Sequence, residues 1–238
     1  MPTKAVQKFT AWSYSRLTEW EQCPFKAKCK HLDKIKEPEP GPDSPLTHGK
    51  EAHEDADKYA RGVGRALPGN LRLFKEEFAA LRARKRDLRT EFQLALTKAW
   101  APTGCYGSDV WLRIVFDVTW DEHVKAEGKT YLTRHVVDYK TGKIREEQQD
   151  QLELYALGAL SMEPAPEVAI VELWYLDQGE TRPEGGGKVY GVGEVPSLRR
   201  KWVKRVAPML ADTAFIPQPG NHCRWCHLAK SKGGICVF

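Results

Sequence analysis

Acidic residues lie in two of the most β-rich stretches of the chain. Asp117 lies among apolar residues in "RIVFDVTW", while Asp138 and Lys140 lie in "VVDYKTGK", just before a Thr-Gly turn. Residues two apart on a strand point to the same face, so the Asp138 and Lys140 side chains are expected to emerge together. Neighbouring strands would bring both carboxylates to one divalent metal beside an ammonium group, as phosphodiester hydrolysis requires. The alternative for Asp138 and Lys140 is a surface ion pair, which contributes little energy.

Three other polar residues favour the active-site interpretation. Gln151 and Tyr155 are four residues apart in "QLELYAL", so they share one face of a predicted helix and could reach the phosphates of a substrate. His53 in "HGKEAH" is a candidate metal ligand or phosphate contact, with a structural or surface role as the alternative. Lys140 would position the attacking hydroxide and offset charge on the pentavalent phosphate. The complete set, rather than any single residue, predicts the active site.

The cysteines define a second candidate site. The N-terminus lacks the apolar core of a secretory signal, and cytosolic thiols stay reduced, so a disulfide framework is not expected. The Cys-x-x-Cys of "NHCRWCHLAKSKGGIC", followed by a third cysteine, has the spacing of a metal centre. Cys23, in the N-terminal Cys-Pro pair, is the best candidate for a fourth ligand, although Cys29 could take its place. A zinc ion bound with help from His222 or His227 is the alternative to an iron-sulfur cluster, and Cys105 is expected to be an ordinary thiol.

Length and composition fit one folded soluble domain. The chain has 238 residues, 41% hydrophobic and 29% charged, with no apolar run of the roughly 20 residues that span a bilayer. We therefore expect a cytoplasmic protein without a membrane segment. The net charge is only +5, but basic runs at 82–89 and 199–205 indicate a polyanionic partner or, alternatively, solvated helix faces.

The hydrophobic periodicity changes from helical to strand-like and back along the chain. Helical spacing comes first, strand alternation follows, and a later helix precedes a continuous apolar run typical of a buried strand. The predicted elements are a helix broken at Pro24, helices at 46–62 and 71–87, a three-stranded meander at 90–143, a helix at 146–162, a strand at 167–179, an edge strand at 187–196 and a helix at 196–215. This order predicts an α/β fold with a mixed central sheet flanked by helices.

Taken together, these motifs resemble the RecB-type nucleases of the PD-(D/E)XK superfamily across most of the chain. "SYSRLTEWEQCPFKAK" is similar to the family's opening motif of Ser, Arg-Leu and Cys-Pro, and "HGKEAH" to its Gly-x-x-x-His. "EFQLAL", "FDV", "VVDYKTGK" and "QLELYAL" resemble its successive strand, acidic, Asp/Glu-x-Lys and Gln-x-x-x-Tyr motifs. One departure is Ile114, where the family usually has a glycine three residues before the middle acidic residue.

The resemblance implies a restriction-endonuclease-like core with a magnesium or manganese site. Its metal ligands would be His53, Asp117, Asp138 and the carbonyl of Tyr139, and Glu91 would be a weaker addition. Its catalytic residues would be Asp117, Asp138, Lys140, Gln151 and Tyr155. Its DNA contacts would include Arg16, Gln151 and Tyr155.

The cysteines extend the resemblance to the iron-sulfur branch of these nucleases, which includes the AddB nuclease and the CRISPR-adaptation exonucleases. That branch implies a four-iron four-sulfur cluster held by Cys23, Cys223, Cys226 and Cys236, which would clamp the two ends of the chain together. The gap between Cys226 and Cys236 is longer than is usual in the branch and contains Gly-Gly. The implied organisation is a single domain over 1–238, with an N-terminal helical segment (1–45), a nuclease core (46–215) and a C-terminal cysteine segment (216–238).

The predicted function is hydrolysis of DNA by a metal-dependent exonuclease acting on single strands or duplex ends. Recombination, repair and phage DNA processing are the expected settings, with a helicase, annealing or recombination protein as a potential partner. One alternative is a catalytically silent DNA-binding accessory module, which would have no need to keep the whole polar set. Another is a zinc-stabilised RNA-binding protein, which leaves the aspartates unexplained.

Overall fold

The computed structural model describes residues 7–85, 87–144 and 149–238. Its helices are α1 (Tyr14–Gln22), α2 (Pro24–His31), α3 (Pro45–Ala60), α4 (Lys75–Ala83), α5 (Gln149–Ala159) and α6 (Val195–Ala211). Its strands are β1 (Arg89–Leu96), β2 (Pro102–Thr103), β3 (Leu112–Ala126), β4 (Lys129–Lys140), β5 (Val168–Tyr175), β6 (Glu180–Arg182) and β7 (Lys188–Gly191). Short 3-10 helices cover Gly69–Phe74, Val192–Glu194, Asn221–Trp225 and Lys230–Lys232.

The described strands form one sheet of mixed direction. Their order is β2-β1-β3-β4-β5-β6, and β7 pairs with a different part of β5. β1, β3 and β4 are antiparallel neighbours, whereas β5 runs parallel to β4 after the crossover through α5. The meander, the crossover helix and the parallel strand confirm the predicted α/β fold with a mixed sheet flanked by helices.

Some predicted elements need correction. The helix predicted at 71–87 is a 3-10 helix over Gly69–Phe74 followed by α4, which ends at Ala83. β2 and β6 were not predicted, because two or three residues are too few to show alternation and each strand is held only by its pairing with a longer neighbour. The helix predicted at 146–162 is α5, and the start of that prediction lies outside the described residues.

Helices cover both faces of the sheet. α5 and α6 pack on one face in a cluster that also takes in Phe9 and Trp12, and Trp12 stacks on Trp202 of α6 with 5.7 Å between ring centroids. α3 and α4 pack on the other face. Alanines at every fourth position of α3 are fully or almost fully buried, so this helix can approach the sheet closely (Ala52, Ala56 and Ala60). Among the described residues, no helix combines the length and apolarity needed to cross a bilayer.

The alternation of side chains along β3 is interrupted at Asp117. Phe116 packs in the cluster beneath α5, whereas Val118, two residues later, packs in the cluster beneath α3 and α4. Side chains two apart on a regular strand face the same way, so the strand changes its facing here. On β1, Glu91 lies between the residues that pair with Phe116 and Val118, and its φ of 46° is in the left-handed region. This local irregularity places two acidic residues side by side.

Ile114, the departure from the family pattern, is accommodated by a glycine on α5. β3 is continuous through Ile114, whose side chain is buried. A Cβ at Gly158 would lie only 2.6 Å from Ile114 Cδ1 and 3.1 Å from Phe116 Cζ. The missing side chain of Gly158 therefore provides the room that Ile114 fills, and the strand geometry is preserved.

Candidate active site

Neighbouring strands bring the two aspartates together, as the sequence predicts. β3 and β4 are paired up to Val118 and Val137, so Asp117 and Asp138 lie just beyond the last pair. Asp117 is 7% exposed, and its Oδ2 accepts a hydrogen bond of 2.6 Å from the Tyr139 N–H. This bond fixes one carboxylate to the strand that carries the other.

Asp138 is held by side chains of α5 and by Lys140. It is 3% exposed, and its Oδ1 accepts hydrogen bonds from Tyr155 Oη at 2.6 Å and from Gln151 Nε2 at 3.1 Å. Its Oδ2 is in ionic contact with Lys140 Nζ. Burial raises the pKa of Asp138 and the Asp117 charge adds to this, whereas the Lys140 ammonium opposes it. A second cation at this carboxylate would therefore be stabilising.

Gln151 links the lysine to the rest of the site. Its Oε1 accepts a hydrogen bond of 3.0 Å from Lys140 Nζ, and its Nε2 also donates to Tyr155 Oη at 2.7 Å. Gln151 and Tyr155 do share one face of α5, as predicted. In this structure they hold Asp138 and Lys140, and the predicted contacts of both residues with DNA stay predictions.

His53 of α3 approaches the site from the opposite side of the sheet. Its Nδ1 lies 3.4 Å from Asp117 Oδ1, and its ring packs edge-on against Tyr139 with 5.8 Å between centroids. Burial by itself would lower the pKa of His53, but the Asp117 carboxylate, followed by the charges of Asp138 and Glu91, raises it to about 9. At neutral pH the protonated imidazole therefore serves as a counter-charge for the acidic group.

Glu91 is the site residue that reasoning from the sequence undervalued. Its carboxylate, His53 and Asp117 each offer a ligand atom within 4.8 Å of the others, so these three residues could hold a metal ion. Burial raises the pKa of Glu91, as does the nearby Asp117 charge. A polar residue at the start of a strand is ordinary, and only the left-handed backbone, which the sequence does not reveal, distinguishes this one.

A carboxylate after β5 fixes the turn that follows Lys140. Asp177 accepts a 2.6 Å hydrogen bond from the Gly142 N–H, and its other oxygen lies 2.9 Å from His48 Nε2 on α3. The same residue therefore ties α3, which carries His53, to the end of β4, which carries Lys140.

The cysteines predicted as cluster ligands surround one cavity. Cys23, Cys223, Cys226 and Cys236 line it together with His222. Among the described residues, no three of these sulfur atoms lie within 4.8 Å of one another, the spacing met by the acidic group. Cys29 is buried on α2 and does not line the cavity, and burial raises the pKa of its thiol to about 11, which disfavours the thiolate that a ligand must supply.

The long gap between Cys226 and Cys236 folds into a compact turn. A 3-10 helix at Lys230–Lys232 is followed by Gly233, with φ of 74°, and the Cys236 N–H donates to the Leu228 carbonyl at 2.8 Å. A Cβ at Gly234 would lie 2.2 Å from the Leu228 carbonyl carbon, so the second glycine is required by this packing. The additional residues therefore return Cys236 to the cavity.

The mixed sheet and the acidic site fit a nuclease that uses a divalent metal. A family model of the PD-(D/E)XK nuclease superfamily matches residues 11–231, and the chain belongs to this superfamily. Nucleases of this superfamily use divalent metals and act on DNA. The chain is also similar to the solved structure of SSO0001, with 14% identity, a TM-score of 0.39, and coverage of 98% of this chain and 89% of that one. A search of the curated proteins found no match.

Proposed function

We propose that this protein is a magnesium- or manganese-dependent deoxyribonuclease that degrades DNA from ends. The observation that carries the proposal is the convergence of His53, Glu91 and Asp117 beside Asp138 and Lys140. Asp117 and Asp138 are buried, and the pairing of two buried carboxylates with a half-buried imidazole and ammonium is not needed for stability, because burying charges is costly even when they are paired. The donor set of hard oxygens with one nitrogen suits a divalent cation.

The proposed metal ligands are Asp117, Asp138, His53 and the Tyr139 carbonyl. The position of Glu91 adds it to this set. A bound Mg²⁺ or Mn²⁺ would polarise a phosphoryl oxygen and lower the pKa of a bound water. Asp117 is already oriented by the Tyr139 N–H, and Asp138 by Tyr155 and Gln151. The ligands are therefore directed before any cation arrives, which reduces the cost of binding it.

Lys140 is proposed as the residue that faces the reacting water. Its ammonium would orient the nucleophile and offset the charge that develops on the phosphate. Gln151 holds Lys140 Nζ at 3.0 Å, so the lysine keeps one direction while the substrate binds. Gln151 and Tyr155 are proposed to exchange part of this network for substrate phosphates, as the sequence predicts.

The cysteine cavity is proposed to hold a four-iron four-sulfur cluster, as in the AddB-like branch. Cys23 lies between α1 and α2, and Cys223, Cys226 and Cys236 come from the C-terminal segment, so one cluster would join both ends of the chain. Cys23 lines the cavity and Cys29 does not, which supports Cys23 as the fourth ligand. Zinc remains the second candidate because His222 lines the same cavity. The division into 1–45, 46–215 and 216–238 within one domain belongs to this proposal, as does a cytoplasmic location that keeps the thiols reduced.

The test is cleavage of labelled DNA by anaerobically purified protein. End-labelled single strands, linear duplexes and closed circles are incubated with Mg²⁺ or Mn²⁺, beside the Asp138→Ala variant. Metal-dependent loss of linear DNA with circles intact, absent in the variant, supports an exonuclease. Cleavage of closed circles would instead assign an endonuclease. The proposed settings of recombination, repair or phage DNA processing, with a helicase or annealing partner, depend on the first result.

The competing proposal is a catalytically silent DNA-binding module. Binding of DNA without cleavage in either metal would support it. The complete polar set opposes it, because DNA binding alone needs no cluster of buried carboxylates, which repel phosphate. An RNA-binding role based on the basic residues and the cysteines leaves the same carboxylates unexplained.

A further inference from the structure

The strand that carries Lys140 ends at this residue, and a carboxylate holds the turn beyond it. Lys140 is the last residue of β4 that pairs with β5, where its partner is Tyr175. The Leu176 N–H then donates to the Lys140 carbonyl at 2.8 Å. One residue later, Asp177 Oδ2 accepts the 2.6 Å hydrogen bond from the Gly142 N–H. The segment after β5 therefore holds the chain for two residues beyond the lysine.

Asp177 itself lies in a tight turn between β5 and β6. The Gln178 and Gly179 N–H groups both donate to the Tyr175 carbonyl at 2.9 Å, and Gly179 has φ of 67°, which favours glycine. Gln178 Nε2 also donates to the Gly142 carbonyl at 3.3 Å. Two side chains of this turn thus hold both backbone groups of one glycine, from a support that is itself anchored in the sheet.

The second oxygen of Asp177 contacts α3. His48 Nε2 lies 2.9 Å from Asp177 Oδ1, and His48 comes five residues before His53 on the same helix. Close packing accompanies this contact, because a Cβ at Gly49 would lie only 3.2 Å from Thr141 Oγ1. The missing side chain at this position lets α3 approach the turn that follows β4.

Both oxygens of Asp177 are therefore engaged with protein groups. Burial by itself would raise the pKa of Asp177, but the Gly142 N–H and then His48 lower it, so the side chain is charged at neutral pH. A charged acceptor makes stronger hydrogen bonds than a neutral one. The two contacts act on elements that carry different parts of the acidic site, because α3 carries His53 and β4 carries Lys140.

We propose that Asp177 is a positioning residue of the acidic site, which fixes Lys140 through the turn at Gly142 and fixes α3 through His48. It would keep the two elements in one relative position while the substrate binds. A displacement of about 1 Å can slow an enzyme on the order of 10²-fold, so a support outside the site can control the rate. The inference rests on the proposed nuclease function and adds a residue that acts only through others.

Three variants separate positioning from stability. Asp177→Ala removes both contacts, whereas Asp177→Asn keeps an oxygen that can accept from Gly142 and an amide group that can donate to His48. Glu167→Ala is the matched control, because Glu167 is exposed just before β5 and its carboxylate accepts a 2.7 Å hydrogen bond from the Leu132 N–H of β4. Each protein is measured in steady-state cleavage of a labelled single strand with Mg²⁺, in thermal melting, and in hydrogen exchange without added Mg²⁺.

Asp177→Ala is expected to lower kcat about tenfold while KM changes less than about twofold, because the lost contacts position the lysine and do not bind DNA. Asp177→Asn should recover kcat to within about threefold of wild type. Asp177→Ala and Glu167→Ala should each lower Tm by about 2–4 °C, as loss of a hydrogen bond does in a chain of this size, but Glu167→Ala should keep the wild-type kcat. The Gly142 amide should exchange about tenfold faster in Asp177→Ala and at the wild-type rate in Glu167→Ala.

Three results would overturn the assignment. A kcat of Asp177→Ala within about twofold of wild type, with the expected loss of Tm, would show that the residue only stabilises the turn. An Asp177→Asn protein as slow as Asp177→Ala would show that the charge acts, and not the two hydrogen bonds. Unchanged exchange at Gly142 in Asp177→Ala would show that the carboxylate does not hold the turn. The nuclease function fails separately, if the wild-type protein cleaves DNA in neither Mg²⁺ nor Mn²⁺ while Asp177→Ala still accelerates exchange at Gly142.

Discussion

The acidic site and the cysteine segment differ in how much regular structure holds them. Asp117 and Asp138 are 7% and 3% exposed and lie on neighbouring strands of the sheet. Cys223 lies within a 3-10 helix of 5 residues and Cys226 follows it, both only half-buried, while Trp225 between them is 75% exposed. The backbone ladder of the sheet fixes the first region, whereas short turns fix the second.

This difference determines what each region would need from a bound metal. Within the described residues, the hydrogen bonds that Asp117 and Asp138 accept come from the sheet itself or from α5, so the site keeps its shape without a cation. In the described part of the chain, no residue of the cysteine segment belongs to the apolar clusters that pack on the sheet. A ligand that joins four thiolates would therefore supply folding free energy. Removing the metal should therefore abolish chemistry in one region and stability in the other.

The largest expected effect is on cleavage, from Asp138→Asn. The amide keeps the size of the side chain and can still accept from Tyr155, but it removes the charge that pairs with Lys140 and is proposed to bind a cation. Cleavage of single-stranded DNA should fall on the order of 10³-fold, with little change in Tm. Initial rates in Mg²⁺ and Mn²⁺ measure this loss.

Asp43→Asn serves as the control for Asp138→Asn, because Asp43 is exposed in the proline-rich loop before α3. It should cleave at the wild-type rate. An Asp138→Asn protein that retains cleavage within tenfold of wild type would contradict the assignment of the acidic site.

The sequence predicts those features of the two regions that depend on local periodicity, and it does not predict those that depend on long-range contacts. The alternation of apolar residues predicted that Asp117 and Asp138 lie on strands. The spacing of two residues predicted that Asp138 and Lys140 share one face. Both relations depend on local periodicity, which the sequence shows directly. Glu91 was undervalued, because its role depends on a positive φ and on a reversal of alternation in the partner strand. Such relations depend on long-range pairing, which no local pattern reports.

The terminal region shows a second limit of local patterns. The Cys-x-x-Cys spacing indicated a metal centre, yet the residues after it looked like an interruption of the motif. The structure shows a turn in which Gly234 packs against the Leu228 backbone, so the insertion shapes the return of Cys236. The compensation between Ile114 and Gly158 is of the same kind, because those residues are far apart in the sequence and meet only after β3 and α5 pack together.

The second largest effect is expected on stability, from Cys226→Ser. Loss of one cluster ligand should destabilise the protein by about 3 kcal/mol, which lowers Tm by about 6–12 °C for a chain of this size. Thermal melting is read together with iron, sulfide and zinc content of anaerobically purified protein. Cys105→Ser, outside the cavity, should leave both unchanged. If Cys226→Ser has the Tm and the metal content of the wild-type protein, the cysteine segment is not held by a ligand.

Packing beneath the acidic site gives the third prediction, from Gly158→Ala. The new methyl group would meet Ile114 Cδ1 and Phe116 Cζ, so the variant should lose about 2 kcal/mol of stability to overpacking. Ile114→Val removes the closest atom and should restore part of the loss in the double variant. Gly41→Ala, with no atom within 4 Å of the added Cβ, is the control. Urea unfolding measures the stability of Gly158→Ala, Ile114→Val, the double variant and Gly41→Ala. A Gly158→Ala protein more stable than wild type would refute the fit between β3 and α5.

Per pH unit, the smallest effect concerns protons released when the acidic site binds a cation. The pKa of His53 is raised to about 9, so at neutral pH the metal-free imidazole carries a proton that a metal ligand must lose. Because that proton is lost more easily as the pH rises, the apparent Mn²⁺ affinity should rise about tenfold per pH unit from about pH 7. It should level off above about pH 9, where the imidazole is already neutral. Calorimetric titration in buffers of different ionisation enthalpy counts the released proton.

His53→Gln should bind Mn²⁺ more weakly but with little dependence on pH in this range. A wild-type affinity that is flat from about pH 7 to about pH 9 would show that the imidazole is not a ligand, and that the carboxylates alone bind the cation.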